Sequence, residues 1–175
     1  PEYAHIPLIL GPDKKRLSKR HGAASVEDLQ EAGYIPAAVI NALALLGWSF
    51  DDKTTMFTVP ELVEKFSVAR ISKSPAVFDL KKLQVINGRY LRMMDDETFT
   101  STLLEHLVRT GYVTTPEQEA LAARVAPSVK RKLSTLGEFD ILAGWLFRPL
   151  EMDPEAWEQL TADVRRSIQV IGAGL

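Results

Sequence analysis

Apolar residues recur at three- and four-residue spacing along most of the chain, and the breaks between these runs carry helix-start and helix-stop chemistry. Ser25-Val26-Glu27-Asp28 has the form of a capping box with Asp in place of Glu, opening a short helix that Gly33 terminates. Pro36 takes a favoured first helical position, and Val39, Ile40, Leu43 and Leu46 repeat at helical spacing until Gly47 supplies a left-handed stop. By residue type Leu43, Leu46 and Trp48 read as core. Thr58-Val59-Pro60-Glu61 is a second capping box and predicts a helix through about Phe66, with Leu62, Val63 and Phe66 as its buried stripe. Ser74-Pro75 marks a turn, after which Asp79 caps a helix to about Met94 whose apolar face is Leu80, Leu83, Ile86, Asn87, Tyr90 and Leu91. Gly88 weakens that helix by roughly 1 kcal/mol relative to Ala.

The same grammar continues. Asp95-Asp96 begins a helix with Phe99, Leu103, Leu104 and Leu107 inward and Gly111 as its stop, and Thr115-Pro116-Glu117-Gln118 caps the next, with Leu121 and Val125 on its buried side. Pro127 is expected to restart the chain into Lys130-Arg131-Lys132, followed by apolar Phe139, Ile141, Leu142, Trp145, Leu146 and Phe147. Asp153-Pro154-Glu155 opens a last helix carrying Trp157, Leu160, Val164, Ile168 and Ile171, which ends at Gly172-Ala173-Gly174. The expected fold class is therefore mainly α, with at most a short strand or two at the N-terminus.

Ahead of the helices the pattern changes. Ile6-Pro7-Leu8-Ile9-Leu10 is an extended apolar run that reads as a buried strand, and Gly11-Pro12-Asp13 reads as a turn, because Pro fixes φ and Asp closes turns with its own side chain. The next seven residues, Lys14 to Arg20, carry five positive charges, a concentration unmatched elsewhere in the chain. Ammonium and guanidinium groups this close repel one another unless an anion sits among them, and a polyphosphate or a nucleic-acid backbone is the usual candidate. The plainer alternative is a solvated basic loop or a localisation-type patch.

Composition narrows the choice. At 175 residues, 46% hydrophobic and 25% charged, the chain can bury one substantial core or two small ones. A formal net charge of -2 gives no overall basicity, so any nucleic-acid contact must come from local patches. The absence of cysteine excludes disulfides, thiolate zinc sites and a Cys nucleophile, and three scattered histidines leave a metal site little to build on. No apolar run approaches ~18 residues and no signal-peptide pattern opens the chain, so neither a membrane span nor secretion is expected.

The order of residues then adds a resemblance. Ala4-His5-Ile6-Pro7-Leu8-Ile9-Leu10 followed by Arg16-Leu17-Ser18-Lys19-Arg20-His21-Gly22-Ala23 resembles the signature loop of class I glutamyl-tRNA synthetases, a form of the KMSKS motif with Leu in place of Met. In that family the loop closes over ATP and its second lysine, here Lys19, neutralises charge developing on the triphosphate. The resemblance thus implies Lys19 as the catalytic residue, with Ser18, Leu17, Arg16 and Lys15 as further ATP-binding candidates. Arg16 stands where the family has its first lysine, which keeps the charge and turns a point donor into a planar fork. Gly33-Tyr34-Ile35-Pro36 and Asn41 to Ser49 are similar to the family's helical connector, and Val68 to Leu83 to its Ser-Pro turn and Phe-Asp helix start. The family's usual Trp near Val85 is missing, which reads as a packing variant.

From the bacterial-type family the resemblance implies three parts: 1–57 as the end of the catalytic core with its loop and connector, 58–112 as a first helical anticodon-binding subdomain, and 113–175 as the start of a second. The segment Lys130-Arg131-Lys132 is similar to one that faces the anticodon stem, and Arg131 is the natural reader of a base edge because its guanidinium can donate two parallel hydrogen bonds. Arg70, Lys73 and Arg89, with Lys81, Lys82 and Arg92, could add a basic face for an RNA backbone or form only a mixed solvated surface. Partners implied are tRNA(Glu), glutamate and ATP with Mg²⁺, in a cytoplasmic monomer, or less favourably one of an organellar matrix, with no DNA, no membrane and no metal bound by this chain itself. The opening on Pro1, and the lack of a Rossmann-type nucleotide-binding segment, lead us to expect a fragment that does not make glutamyl-adenylate alone. Helix caps argue against the β-barrel anticodon domains of the archaeal and eukaryotic enzymes, and residues after Thr58 argue against the shortened paralogue that glutamylates a tRNA base. A non-catalytic helical nucleic-acid-binding or interaction module is the alternative of a different class.

Overall fold

A computed structural model describes residues 3, 5–18, 25–148 and 164, and among these the backbone is mainly helical with one small parallel sheet. After strand β1 (Ile9–Leu10), Ser25 opens α1 (Val26–Glu31): its Oγ accepts from Asp28 N at 3.0 Å while its own N–H donates to Asp28 Oδ2 at 3.2 Å. Helix α2 (Pro36–Ala44) starts on its proline, and α3 (Val59–Lys65) on the reciprocal pair Thr58 and Glu61. A 3-10 turn at Val68–Arg70 leads to β2 (Ala76–Val77), then Asp79 caps α4 (Leu80–Met93) by accepting from Lys81 N and Lys82 N at 2.8 and 3.2 Å. Asp95 caps α5 (Asp96–Arg109), Thr115 caps α6 (Pro116–Val129), and a 3-10 turn at Leu136–Glu138 precedes the short α7 (Phe139–Ala143). The stops at Gly33, Gly47 and Gly111 all have positive φ.

The mainly α class is thus what the chain adopts. The sheet, however, pairs β1 in parallel with β2, Ile9 opposite Ala76 and Leu10 opposite Val77, so its second strand lies deep in the chain instead of at the N-terminus. The strand expected to be buried is half-covered, with Ile6 and Leu8 exposed.

Two apolar clusters organise the first half. Leu29, Val39, Phe78 and Leu83 form one, against which Ile9 and Leu17 pack; Trp48, Phe57 and Leu62 form the other, with Trp48 and Phe57 meeting edge to face at 5.8 Å. Phe99, Leu103, Leu107, Ala122, Ala126 and Leu133 are buried further along, each large side chain contributing about 1.5–3 kcal/mol by removal from water. By its own contacts the chain divides into a unit of residues 1–143 and another of 144–175, so residues 57 and 112, the expected part boundaries, both fall inside the first unit. Of the second unit the description covers a 3-10 turn at Gly144–Leu146, Phe147, Arg148 and the helical Val164, and the other residues of the predicted helix at 153–171 lie outside the described residues.

Several apolar positions face water. Val63 is 80% exposed because the short α3 buries only Leu62, and Phe66 stays partly open although its ring meets that of Trp48. Ile40, Leu43 and Ile141 are exposed, so Leu43 is not core, whereas Trp48 is. Pro127 does not restart the chain: it lies inside the last turn of α6, which runs on to Val129 although the proline has no N–H to give to the preceding turn. The buried face of α6 is Ala122, Ala126 and Val129, with Leu121 and Val125 half-covered, since the small side chains are the ones turned inward where α6 packs on α5.

Candidate nucleotide loop and nucleic-acid interface

The basic loop begins as a tight hairpin. Lys14 N donates to Gly11 O at 2.9 Å, Gly11 N to Lys15 O at 2.8 Å and Leu17 N to Ile9 O at 3.0 Å, so the chain turns through Pro12 and Asp13 and runs back along β1. Lys14 takes φ +60, the left-handed residue that such a three-residue hairpin loop requires, and Asp13 Oδ1 accepts from Lys15 N at 3.0 Å. The result is sorting by side. Leu17 packs on the Leu29, Val39, Phe78 and Leu83 cluster, while Lys15, Arg16 and Ser18 are exposed. Lys19, the expected catalytic residue, lies outside the described residues, as does Arg20.

The expected RNA-facing residues fall into distinct settings. Arg70 is exposed yet engaged: Nη2 donates to Phe50 O at 2.6 Å and the guanidinium sits 5.5 Å from the Phe50 ring centroid. Beside it, hydrogen bonds from Thr54 and Lys53 hold the Asp51 carboxyl below its ordinary pKa, with Arg70 adding a smaller pull. Lys73 and Arg89 are exposed, the latter on α4. Arg131 and Lys132 project from the turn that follows α6. Lys130 departs from its neighbours: it is only 9% exposed, with Nζ 2.8 Å from Asp96 Oδ1, bonded to the Met94 carbonyl and 5.8 Å from the Phe99 ring centroid. Its ammonium ties the end of α6 to the start of α5, so it cannot reach a phosphate without breaking an ion pair.

Two buried asparagines were not singled out by the sequence. Asn41 accepts from Phe57 N at 2.7 Å and donates to Thr55 O at 2.9 Å, and Asn87 accepts from Ile35 N at 2.9 Å and donates to Ser134 O at 2.6 Å. The available signal was a polar residue on an apolar helical stripe, which Asn87 is. Elsewhere a cavity of about 610 Å³ opens between α1, α2 and α5, walled by Val26, Val39, Ile40 and Leu43 with His106 and Arg109 at its edge. Arg109 Nη2 lies 3.0 Å from His106 Nδ1 and donates to Gln30 O at 2.9 Å; a guanidinium has no acceptor, so Nδ1 accepts and the imidazole is neutral. Burial first, and the Arg109 charge second, lower the His106 pKa. Among the described residues no group of His, Cys, Asp or Glu could hold a metal. Lys15, Arg16, Lys73, Arg89, Arg131 and Lys132 are thus exposed cations on a mainly helical scaffold.

That fold has a counterpart among enzymes that join amino acids to tRNA. Residues 1–85 match the family model of tRNA synthetases class I (E and Q), catalytic domain, a stretch that runs past residue 57 into α4. More particularly, the homologues are glutamate–tRNA ligases. The chain is 42% identical over 160 residues to glutamate–tRNA ligase 1 of Pseudothermotoga lettingae, covering 91% of this chain and 34% of that protein. It is 42% identical over 188 residues to the glutamate–tRNA ligase of Rhodopseudomonas palustris strain TIE-1, covering 100% of this chain and 38% of the relative. A crystal structure of a glutamate tRNA ligase from Elizabethkingia meningosepticum, in complex with its amino acid, superposes with a TM-score of 0.69 at 25% identity, over 97% of this chain and 37% of that one. The chain thus spans little more than a third of the length of these relatives.

Proposed function

We propose that this chain is the C-terminal portion of a bacterial-type glutamate–tRNA ligase, supplying the loop that closes on ATP and a helical surface for the anticodon arm of tRNA(Glu). The observation that carries the reading is similarity to glutamate–tRNA ligases across at least nine-tenths of the chain, joined to a cationic hairpin whose apolar residue is anchored in the core. In the full-length enzyme a glutamate carboxylate oxygen attacks the α-phosphorus of ATP, the bond to pyrophosphate breaks, and glutamyl-adenylate forms; the tRNA then takes the glutamyl group and AMP leaves. Lys19 offsets the charge that builds on the phosphate oxygens, with Lys15, Arg16 and Ser18 as further contacts, and Mg²⁺ accompanies the ATP. Leu17 serves as the hinge peg that keeps this loop on the core. Arg131, Lys132, Arg89, Lys73 and Arg70 attract the RNA backbone, while Lys130 supports its neighbours. Alone, the chain binds tRNA without making adenylate, because positioning by the nucleotide site supplies much of the rate. The setting is the cytoplasm, as a monomer.

In the full-length enzyme Lys19→Ala lowers ATP–pyrophosphate exchange by about 10²–10³-fold, the usual loss for one such electrostatic stabiliser. Unchanged exchange rejects the role given to Lys19. In this chain Arg131→Ala weakens binding of a tRNA(Glu) transcript and lowers the salt slope by about 1 if the contact is to phosphate. A parent chain without measurable tRNA affinity rejects the RNA-binding half of the reading.

A further inference from the structure

The exposed Arg131 and Lys132 stand on a stretch, Lys130 to Glu138, that is fastened at both ends. At its start Lys130 is held by Asp96 and the Met94 carbonyl. At its end Glu138 Oε2 accepts from Ser134 N at 2.7 Å, and Gln84 Nε2 on α4 donates to Glu138 Oε1 at 2.8 Å. Between these, the wholly buried Asn87 reaches in two directions: its Oδ1 takes the Ile35 N–H at the corner between α1 and α2, and its Nδ2 gives to the Ser134 carbonyl. The corner and the basic stretch also touch directly, through Leu136 N to Gly33 O at 2.9 Å. That approach needs two glycines. A Cβ on Gly33 would lie 2.3 Å from Gly137 N, and one on Gly137 would lie 2.8 Å from the Ala32 carbonyl oxygen. On the other side of the corner, Leu29 and Val39 carry the cluster on which Leu17 of the nucleotide loop rests.

We propose that Asn87 is a positioning residue for tRNA recognition: its two-sided amide, with the Gly33 and Gly137 contact, locks the stretch bearing Arg131 and Lys132 onto the connector corner that supports the nucleotide loop. The proposal rests on the tRNA-binding reading above. It adds that the affinity of the basic stretch comes from holding those cations in a fixed place before RNA arrives, which spares the ordering cost of a loose loop. Asn87 touches no ligand and acts through Ser134. A half-broken amide pair has a definite chemistry: Asn87→Asp keeps the acceptor for Ile35 N and sets a second acceptor against the Ser134 carbonyl, so the loop is pushed off while the corner remains bonded. The introduced carboxyl, being buried, has a raised pKa, and once protonated it donates to that carbonyl again.

The test uses the 175-residue chain and a tRNA(Glu) transcript, titrated at several salt concentrations well below the melting temperature of each variant. Asn87→Asp is expected to weaken binding about tenfold at pH 7.5 with a shallower salt slope, and to recover most of the loss relative to the parent as pH falls toward about 5.5. Gly137→Ala, which pries the same contact apart from its exposed side, is expected to weaken binding at every pH without acid recovery. Phe57→Leu, in the separate Trp48 cluster, controls for mere loss of stability and should leave affinity unchanged. Folded Asn87→Asp and Gly137→Ala proteins with parental affinity and slope overturn the proposal, as does an equal loss in Phe57→Leu. If Asn87→Asp fails to fold, Gly137→Ala decides alone. Loss on Arg131→Ala without loss on these variants rejects only the positioning role; a parent that binds no tRNA rejects both readings.

Discussion

Asn41 shows how much one buried amide can fix. It has no solvent exposure, and it satisfies the Phe57 N–H and the Thr55 carbonyl of a segment that has no regular structure of its own, while the Tyr90 hydroxyl, 3.1 Å from the same Oδ1, donates to the Phe57 carbonyl. Buried peptide groups without partners cost about 1–3 kcal/mol each. Asn41→Leu keeps the volume and removes both partners, so it is expected to lower unfolding stability by roughly 2–4 kcal/mol, read as a fall in the urea midpoint at constant slope. A loss below about 1 kcal/mol would mean that the segment finds water or another partner. Neither this asparagine nor Asn87 was legible as a tie. The partners of Asn87 lie 52 and 47 residues away, and a local pattern records only that an amide interrupts an apolar stripe, not which backbone it meets. Lys130 is the converse case: among three adjacent cations it alone is buried, and that is decided by Asp96 and Phe99 on another helix, which its local sequence does not record.

Helix boundaries were legible because their causes are local. Ser25, Thr58, Asp79, Asp95 and Thr115 each accept from backbone N–H groups within the first turn they cap. Strand β2 was not, since two residues carry no periodicity and their partner lies at Ile9–Leu10. Pro127 misled because a proline in a last turn resembles one that starts a new helix. The caps also set an acid limb. Hydrogen bonds from the backbone and side chains of Thr58 and Thr98 hold the Glu61 and Asp95 carboxyls below their ordinary pKa values. A carboxyl whose folded pKa lies below its unfolded one adds stability above the unfolded pKa, and loses it as pH falls through the folded value. Thr58→Ala removes the hydroxyl bond to Glu61 and keeps the backbone one, so it is expected to cost about 1 kcal/mol near neutral pH, with the gap to the parent narrowing, though not closing, as pH drops below about 4. Melting temperatures by circular dichroism from pH 7 to 2.5 test this, and a gap constant across that range would separate the cap from the titration.

At the scale of the molecule the ties run across the expected boundaries at 57 and 112. Asn41 on α2 holds Phe57, Asn87 on α4 holds both Ile35 and Ser134, and Arg109 on α5 donates to Gln30 on α1. Residues 1–143 gather into one compact unit, and whether the expected parts within it open together or piece by piece is a matter of cooperativity. On the proposed function the division matters, because the loop after β1 and the stretch after α6 then belong to one compact unit. Amide hydrogen exchange distinguishes the two cases. The N–H groups of Ile35, Phe57 and Leu136 are bonded respectively to Asn87, Asn41 and Gly33. If the unit opens cooperatively, these three amides exchange with the same free energy and the same dependence on low denaturant concentration, equal to those of global unfolding. A smaller denaturant slope at Leu136 than at Phe57 would instead mean that the segment after α6 opens on its own, and the two halves of the proposed function would then be joined by a hinge that only bound tRNA could close.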